Sequence, residues 1–261
     1  MVNFNYSNWR DNLSPLSQFE VRDLISLDTP ILGNLHISIT NIGFYLIIGA
    51  LFLLVVNLLS INGRLLSNGW SLGVETLYHS ILGVVISQIN AKKGQIYFPF
   101  IFSLFLFILI NNLIGLVPYS FASTSHFVLT LSLSFTIVLG ATILGFHQHG
   151  LAFFSLFVPA GCPLGLLPLL VIIEFVSYLA RNVSLGLRLG ANIMSGHLLL
   201  SILAGFTYNI MSMGFVYFIL GLVPLAFIVA FSGLELAIAC VQAQVFILLT
   251  CSYIKDALDL H

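Results

Sequence analysis

The scarcity of charge is the feature that most limits how this chain can fold. Between Gly94 and Ile254 only four side chains carry a formal charge. Charge-free runs cover residues 37–63, 95–173 and 189–234, and each is longer than the roughly 20 residues that a helix needs to cross a hydrocarbon core. The runs are continuous rather than alternating, which favours helices over a transmembrane barrel. The chain is therefore predicted to be an all-α polytopic membrane protein.

Composition and motifs exclude several other classes of protein. Charged residues make up 7% of the 261 residues and the formal net charge is −1, so no nucleic-acid partner is indicated. The three cysteines lie in or beside apolar segments without metal-type spacing, and we interpret them as packing residues. His147 and His149 have no further ligands nearby in the sequence and are expected to be solvated loop residues. Since the chain has no phosphate loop, nucleophile motif or Cys/His cluster, neither a cofactor nor a metal site is predicted.

The hydropathy pattern predicts about five membrane crossings and one interfacial amphipathic helix. The predicted segments are a leader or polar tail at 1–13, an amphipathic N-terminal arm or helix at 14–36, a first transmembrane helix at 37–63, an interfacial helix at 71–93, a transmembrane hairpin at 97–147 and a long tilted helical hairpin at 164–256. The apolar piece at 151–159, between the two hairpins, is too short to span.

The last apolar stretch is about twice as long as two upright helices require. It runs from Leu164 to Tyr253, with a weak polar break at 206–214. Four short helices joined by tight turns would fit this length, and so would two very long helices that tilt in the membrane. Tight turns need polar residues at their corners, and none appears, so the two long helices are favoured.

The basic residues of the loops predict an orientation. Arg64, Lys92 and Lys93 fall between the first two predicted spans, and Lys255 follows the last one. The N-terminal arm instead carries four acids against two arginines. With five crossings, all four of these basic loop residues lie on one side of the membrane, which the positive-inside rule assigns to the inner face. The N-terminus is therefore expected outside and the C-terminus inside.

The charges within the last hairpin form a pattern. Glu174, Arg181 and Arg188 are seven residues apart, and seven residues turn a helix by about 700°, close to two full turns. These three side chains therefore lie on one helical face, and Asn192 continues it one turn beyond Arg188. Two turns are too far for a direct Glu174–Arg181 pair, so a purely structural role for either residue would need a partner on a neighbouring helix. Intramembrane charges of this kind usually mark ion pathways or paired cores.

A second polar group faces the other way. His197 follows Arg188 by nine residues, which is about half a turn away from the stripe. Glu235 and Gln242 are seven residues apart on the following helix, and Glu235 is expected to meet His197. This pair can be a structural bridge. Alternatively, two sets of titratable groups on two faces suit two access paths that do not join.

Four stretches carry a specific resemblance to a known family. They read SLGLRLGANIMSGH at 184–197, SLFVPAGCPLGLLPLLVIIEFVSYLARNVSLGLRL at 155–189, NNLIGLVPYSF at 111–121 and CSYIKDALDLH at 251–261. Together they closely resemble subunit a of the mitochondrial rotary ATP synthase in its fungal form. The resemblance covers about residues 14–261.

The resemblance implies a stator subunit, not catalytic by itself, that conducts protons beside a rotating ring of small carboxylate-bearing c subunits. The residues it assigns are Arg188, essential and facing the ring; His197 and Glu235, in the intermembrane-space half-channel; Glu174, in the matrix half-channel; and Arg181, Asn192 and Gln242, in supporting positions. Bacterial members of the family carry an acid and a histidine in the reverse order at His197 and Glu235. No cofactor is implied.

The resemblance also implies a location and an assembly. It places the chain in the mitochondrial inner membrane, with the N-terminus in the intermembrane space and the C-terminus and the 71–93 helix on the matrix side. The implied partners are the c-ring, the peripheral stalk, other membrane-sector subunits and lipid. Two rival classes fit less well. A secondary transporter would show internal repeats, and a structural subunit of another respiratory complex would not need Arg188 on a polar stripe.

Overall fold

The computed structural model describes residues 15–29, 35–60, 69–89, 91–117, 120–158 and 165–258. The strands are β1 (Asp23–Thr29) and β2 (Leu35–Thr40), and the helices are α1 (Asn41–Ser60), α2 (Gly69–Ile89), α3 (Ala91–Gly115), α4 (Phe127–His149), α5 (Leu167–Met211) and α6 (Phe215–Leu258). Short 3-10 helices occupy Ser17–Phe19, Ser123–Ser125 and Gly150–Phe157. All six of these α-helices are long and apolar enough to cross a membrane. The prediction of an all-α polytopic membrane protein is confirmed.

The N-terminal arm contains a β-hairpin rather than an amphipathic helix. β1 and β2 pair antiparallel, with Ser26 opposite Ser38. The second strand reads LHISIT, and this alternation of apolar and polar residues has the period of a strand, not of a helix. The first transmembrane helix consequently begins at Asn41, four residues later than predicted, and ends at Ser60. Residues 1–13 and 61–63 lie outside the described part of the chain.

Helices α2, α3 and α4 cover the next two predicted segments with shifted bounds. α2 ends at Ile89 and α3 begins at Ala91, so the predicted helix at 71–93 is divided between them. The predicted hairpin at 97–147 corresponds to α3 and α4. The interfacial position of α2 stays a prediction, because its length and composition also allow a crossing.

The last two helices confirm the choice of two long helices over four short ones. α5 has 45 residues and α6 has 44. The single break between them comes at Ser212–Gly214, where Gly214 adopts a φ of 148° that side chains rarely tolerate. His197 contacts Glu235, and Arg181 contacts Asp256. The two helices therefore run antiparallel, in contact over much of their length.

Two glycines allow α4 to approach α5 closely. A Cβ at Gly186 would lie 2.7 Å from Ser134 Oγ and 3.0 Å from the Leu131 Cα, and one at Gly190 would lie 3.0 Å from Thr130 Oγ1. Apolar burial gives little drive for association between helices in lipid, so close backbone packing of this kind holds the bundle together. The structure shows that these glycines fix α5 against α4.

A larger side chain at Gly186 is expected to separate α4 from α5. The backbone of Leu131 cannot move aside as a flexible side chain can, so Gly186→Val should destabilise the protein by about 1–3 kcal/mol. Gly205→Val is the matched control, because Gly205 lies in the same helix and has no neighbour within 4 Å. The measurement is thermal unfolding of both variants in mild detergent. Equal stability of the two would contradict the packing described here.

Candidate functional site

The polar residues of α5 and α6 are gathered in two clusters at different depths of the helix pair. One contains His197 and Glu235, and the other contains Glu174, Arg181 and Asp256. Arg188 lies between the two along α5. A rise of 1.5 Å per residue places it about 10 Å from Arg181 and about 14 Å from His197 along the helix axis.

His197 and Glu235 meet as the sequence predicts. His197 Nε2 lies 3.8 Å from Glu235 Oε1, and the side chains are 19% and 6% exposed. Gly196 makes this contact possible, because a Cβ there would lie 2.6 Å from Glu235 Oε1. Within the described residues, neither carboxylate oxygen nor His197 Nε2 has a hydrogen-bond partner. Buried groups of this kind require water or a change of protonation state to remain stable.

A large cavity supplies space for that water. It has a volume of about 820 Å³ and is bounded by the N-terminal turn, the α3–α4 connection, α5 and α6. Its polar lining consists of Gln18, Ser120, His197, Ser232 and Glu235. A water molecule fills about 30 Å³ in the liquid, so this volume can hold a connected cluster of waters. We call it the His197 cavity.

A smaller cavity leads from Glu235 toward the arginine stripe. It has a volume of about 190 Å³, and its lining includes Asn192, Ser195 and Glu235. Glu235 therefore borders both cavities, and Asn192 lies one helical turn from Arg188. The sequence analysis placed His197 and the stripe on opposite faces and did not predict this connection. We call this space the Asn192 cavity.

The second cluster includes a residue that the sequence analysis missed. Arg181 Nη2 lies 4.0 Å from Glu174 Oε1, and Arg181 Nη1 lies 4.0 Å from Asp256 Oδ2. The expectation that Glu174 and Arg181 are too far apart to pair is wrong, because the two long side chains extend toward each other over two turns. Asp256 was passed over because it follows Lys255 beyond the charge-free run. Only the antiparallel fold of α5 and α6 brings it to Arg181.

These charges line a third space. The Arg181 cavity has a volume of about 230 Å³ and is lined by Leu156, Phe157, Glu174, Tyr178, Arg181 and Asp256. The three charged side chains remain between 35% and 48% exposed. Ion pairs at this distance and exposure contribute little to stability. The cluster is therefore better suited to exchanging charge with water than to holding the helices together.

Arg188 differs from the other charges because it faces outward. It lies on an open depression of the α5 surface beside Ala180, Ser184 and Ala191. Among the described residues no acidic side chain forms an ion pair with it. Small neighbours allow a further helix to approach closely. The guanidinium is thus available to a group outside this chain.

Three further residues considered from the sequence, Gln242, His147 and His149, lie outside the two polar clusters. Gln242 is half-buried two turns after Glu235 on α6, and the antiparallel register puts it near the level of Arg188. His149 is not a free loop residue, since its Nε2 lies 3.2 Å from the Leu258 carbonyl oxygen at the end of α6. His147 is exposed beside it. Neither histidine takes part in the two polar clusters.

A bundle of long apolar helices with ionisable side chains grouped around two polar cavities has the features of a polytopic membrane protein with an ion pathway. Residues 42–255 match the family model described as ATP synthase A chain. Over 260 residues the chain is 74% identical to ATP synthase subunit a of Podospora anserina, covering 99% of this chain and 98% of the relative. It is 75% identical over 250 residues to that of Neurospora crassa, covering 95% of each chain. The chain belongs to the ATP synthase subunit a family, in its fungal form.

This result confirms the resemblance drawn from the sequence motifs. The chain is a multi-pass membrane-sector subunit of an ATP synthase, the proton-translocating one rather than the catalytic one. A secondary transporter and a structural subunit of another respiratory complex are thereby excluded. Membership of the family does not test the roles that the resemblance implies for individual side chains of this chain.

A methyl group at Gly196 is expected to impair proton translocation without unfolding α5. Alanine is favoured over glycine in helices by about 1 kcal/mol, so a loss of function in Gly196→Ala would come from displacing the Glu235 carboxylate. Gly205→Ala is the control, because its Cβ would meet nothing within 4 Å. We expect ATP-driven proton pumping in vesicles to fall several-fold in the first variant and to stay normal in the second. Normal pumping by both would mean that the position of Glu235 is unimportant.

Proposed function

We propose that the His197 cavity and the Arg181 cavity are the water-accessible ends of two proton half-channels, one from each side of the membrane, and that Arg188 separates them. The observation that carries this proposal is the position of Arg188 between two polar cavities with no acidic partner among the described residues. A charge placed in hydrocarbon is costly unless it is used or neutralised. A partner that approaches from outside the chain supplies that neutralisation.

Protons reach the chain through the His197 cavity, on the intermembrane-space side. Water in the cavity delivers a proton to the His197–Glu235 pair, whose nitrogen and oxygen are 3.8 Å apart. The Asn192 cavity continues from Glu235 toward Arg188, with Asn192 and Ser195 providing polar groups that can orient water. The absence of hydrogen bonds to the Glu235 oxygens among the described residues favours this function over a purely structural bridge.

The acceptor is a carboxylate at mid-membrane on a ring of small hairpin c subunits. Protonation makes that carboxyl neutral, and a neutral carboxyl can face lipid at much lower cost than a charged one. Rotation then carries it around the ring to the Arg181 cavity, where it loses its proton toward the matrix. The transmembrane potential contributes about 2.3 kcal/mol per charge per 100 mV to this cycle.

Arg188 holds the deprotonated ring carboxylate and prevents direct leakage between the half-channels. Arginine stays charged at every physiological pH and therefore attracts the carboxylate without relaying its proton. A desolvated lysine loses its proton more readily and would form a weaker barrier. Gln242, near the same level on α6, supports the region around the arginine.

On the matrix side, Glu174 and Asp256 receive the proton and release it to water. Arg181 lies within 4.0 Å of an oxygen of each acid, so it holds the two carboxylates close together at this end of the path. Their partial exposure allows exchange with water.

The orientation follows from the same assignment. The N-terminus lies in the intermembrane space and the C-terminus in the matrix, within the mitochondrial inner membrane. The basic residues Arg64, Lys92, Lys93 and Lys255 support this orientation through the positive-inside rule. The partners are the c-ring, the peripheral stalk, the other membrane-sector subunits and the surrounding lipid.

Removal of the Arg188 side chain tests the central assignment. Arg188→Ala is expected to abolish ATP-driven proton pumping while leaving assembly largely intact, because this exposed side chain holds no described helix in place. Ile202→Ala, an exposed residue of the same helix, serves as the control and should behave as the parent protein. Pumping is measured in inverted membrane vesicles, and assembly on native gels. Normal coupled pumping by the arginine variant would refute the proposal.

Exchange of His197 and Glu235 tests whether the two residues share one path. The double variant His197→Glu with Glu235→His retains one acid and one base across the same contact, whereas His197→Ala and Glu235→Gln each remove one. We expect the exchanged variant to keep a measurable fraction of the ATP synthesis rate and each single variant to lose more. Equal loss in all three variants would indicate that the residues do not act as a pair.

A further inference from the structure

The N-terminal 3-10 turn, Ser17–Phe19, reaches the His197 cavity. The ring of Phe19 stands edge-to-face against the imidazole of His197, with centroids 6.4 Å apart and planes at 80°. Gln18 lines the same cavity. The turn is almost 180 residues away from His197 in the sequence, and no feature of either segment predicted that they meet.

The turn is closed by its own hydrogen bonds and anchored on its C-terminal side. Within it, the Phe19 amide donates to the Leu16 carbonyl oxygen at 3.0 Å and the Glu20 amide donates to the Ser17 carbonyl oxygen at 3.3 Å. Asn41, the first residue of α1, then donates from its amide nitrogen to the Arg22 carbonyl at 3.1 Å and from Nδ2 to the Glu20 carbonyl at 3.4 Å. The β1–β2 hairpin closes the loop between these points. The arm is therefore anchored to the start of a membrane helix.

The imidazole of His197 lies between two different neighbours. Glu235 supplies the nearby acid, at 3.8 Å, and Phe19 supplies an aromatic contact. On the arm, Glu20 forms an ion pair with Arg22 at 3.0 Å, and the further acids Asp23 and Asp28 on β1 leave the arm net negative. At the end of the α3–α4 connection, His126 stacks on Phe121, which lines the cavity.

We propose that Phe19 is a positioning residue for His197 and that the Ser17–Phe19 turn forms part of the wall of the intermembrane-space half-channel. The inference rests on the function proposed above for the His197 cavity. Aromatic contacts of this geometry restrict the orientation of both rings. Phe19 thereby holds the imidazole near Glu235, and its apolar ring limits how much water surrounds the imidazole.

This arrangement makes a specific prediction for Phe19→Ala. Loss of the phenyl ring removes the aromatic neighbour of His197 and leaves the imidazole free to turn away from Glu235 and to contact more water. The pH at which proton delivery from this side is half-maximal should therefore change. Aromatic contacts have energies that correspond to a shift on the order of 0.5 to 1 pH unit. The maximal rate should change less, since Glu235 and Arg188 remain in place.

The test uses the assembled ATP synthase in reconstituted vesicles. ATP synthesis is driven by a fixed potential while the pH is varied on the side that His197 faces, and the half-maximal pH and the maximal rate are determined separately. Phe19→Tyr keeps the ring and should retain the parent profile. Leu16→Ala alters a residue of the same arm that is 62% exposed and, unlike Phe19, provides no ring contact to His197, and it should also retain that profile. Native gels establish that each variant assembles.

Three outcomes would overturn the inference: an unchanged half-maximal pH in Phe19→Ala, the same shift in Leu16→Ala, or an equal loss of rate at every pH, which a merely structural residue would produce. The variant His197→Ala distinguishes a failure of the positioning role of Phe19 from a failure of the proposed half-channel. If His197→Ala translocates protons normally, the half-channel assignment itself is refuted. If it does not, and Phe19→Ala keeps the parent profile, only the positioning role is refuted.

Discussion

The cost of placing charge within a membrane governs the rest of this structure. The buried carboxylate Glu235 and the outward-facing Arg188 are tolerated only because the surrounding helices give each of them a way to be solvated or neutralised. Glu235 can be solvated from a cavity of about 820 Å³ and lies 3.8 Å from the imidazole of His197. Arg188 lies on an open surface beside small residues, where a group from outside the chain can neutralise it. Gly196 packs closely against Glu235 because that carboxylate is held beside the His197 imidazole.

Much of this arrangement could be predicted from the sequence because it depends on helical periodicity. The spacing of Glu174, Arg181 and Arg188 places them on one face of any helix, and the lack of polar corners after Leu164 leaves two long helices as the better choice. The meeting of His197 with Glu235 followed from the positions of a histidine and an acid on consecutive helices. These inferences use local geometry, which a single sequence contains.

What could not be predicted depends on contacts between distant segments. Asp256 has no periodic relation to Arg181, and only the antiparallel register of α5 and α6 joins them. The Phe19–His197 contact likewise requires knowing where the arm folds back. The β-hairpin was missed for a different reason. A short apolar segment can fit the period of a strand and the period of a helix. The alternation at 35–40 is only six residues long and runs directly into the apolar sequence of α1, so it does not stand out as a strand.

The proposed function gives a reason for the length of α5 and α6. The two proposed half-channels must not join, and the Arg188 barrier between them must not move relative to either cavity. On α5, Glu174, Arg188 and His197 belong to one continuous helix of 45 residues, so their separations are fixed by helix geometry alone. Four short helices would place flexible turns between these groups and would let the Arg188 barrier shift relative to the two cavities. Continuous helices therefore keep the groups of the proposed proton path at fixed distances from one another.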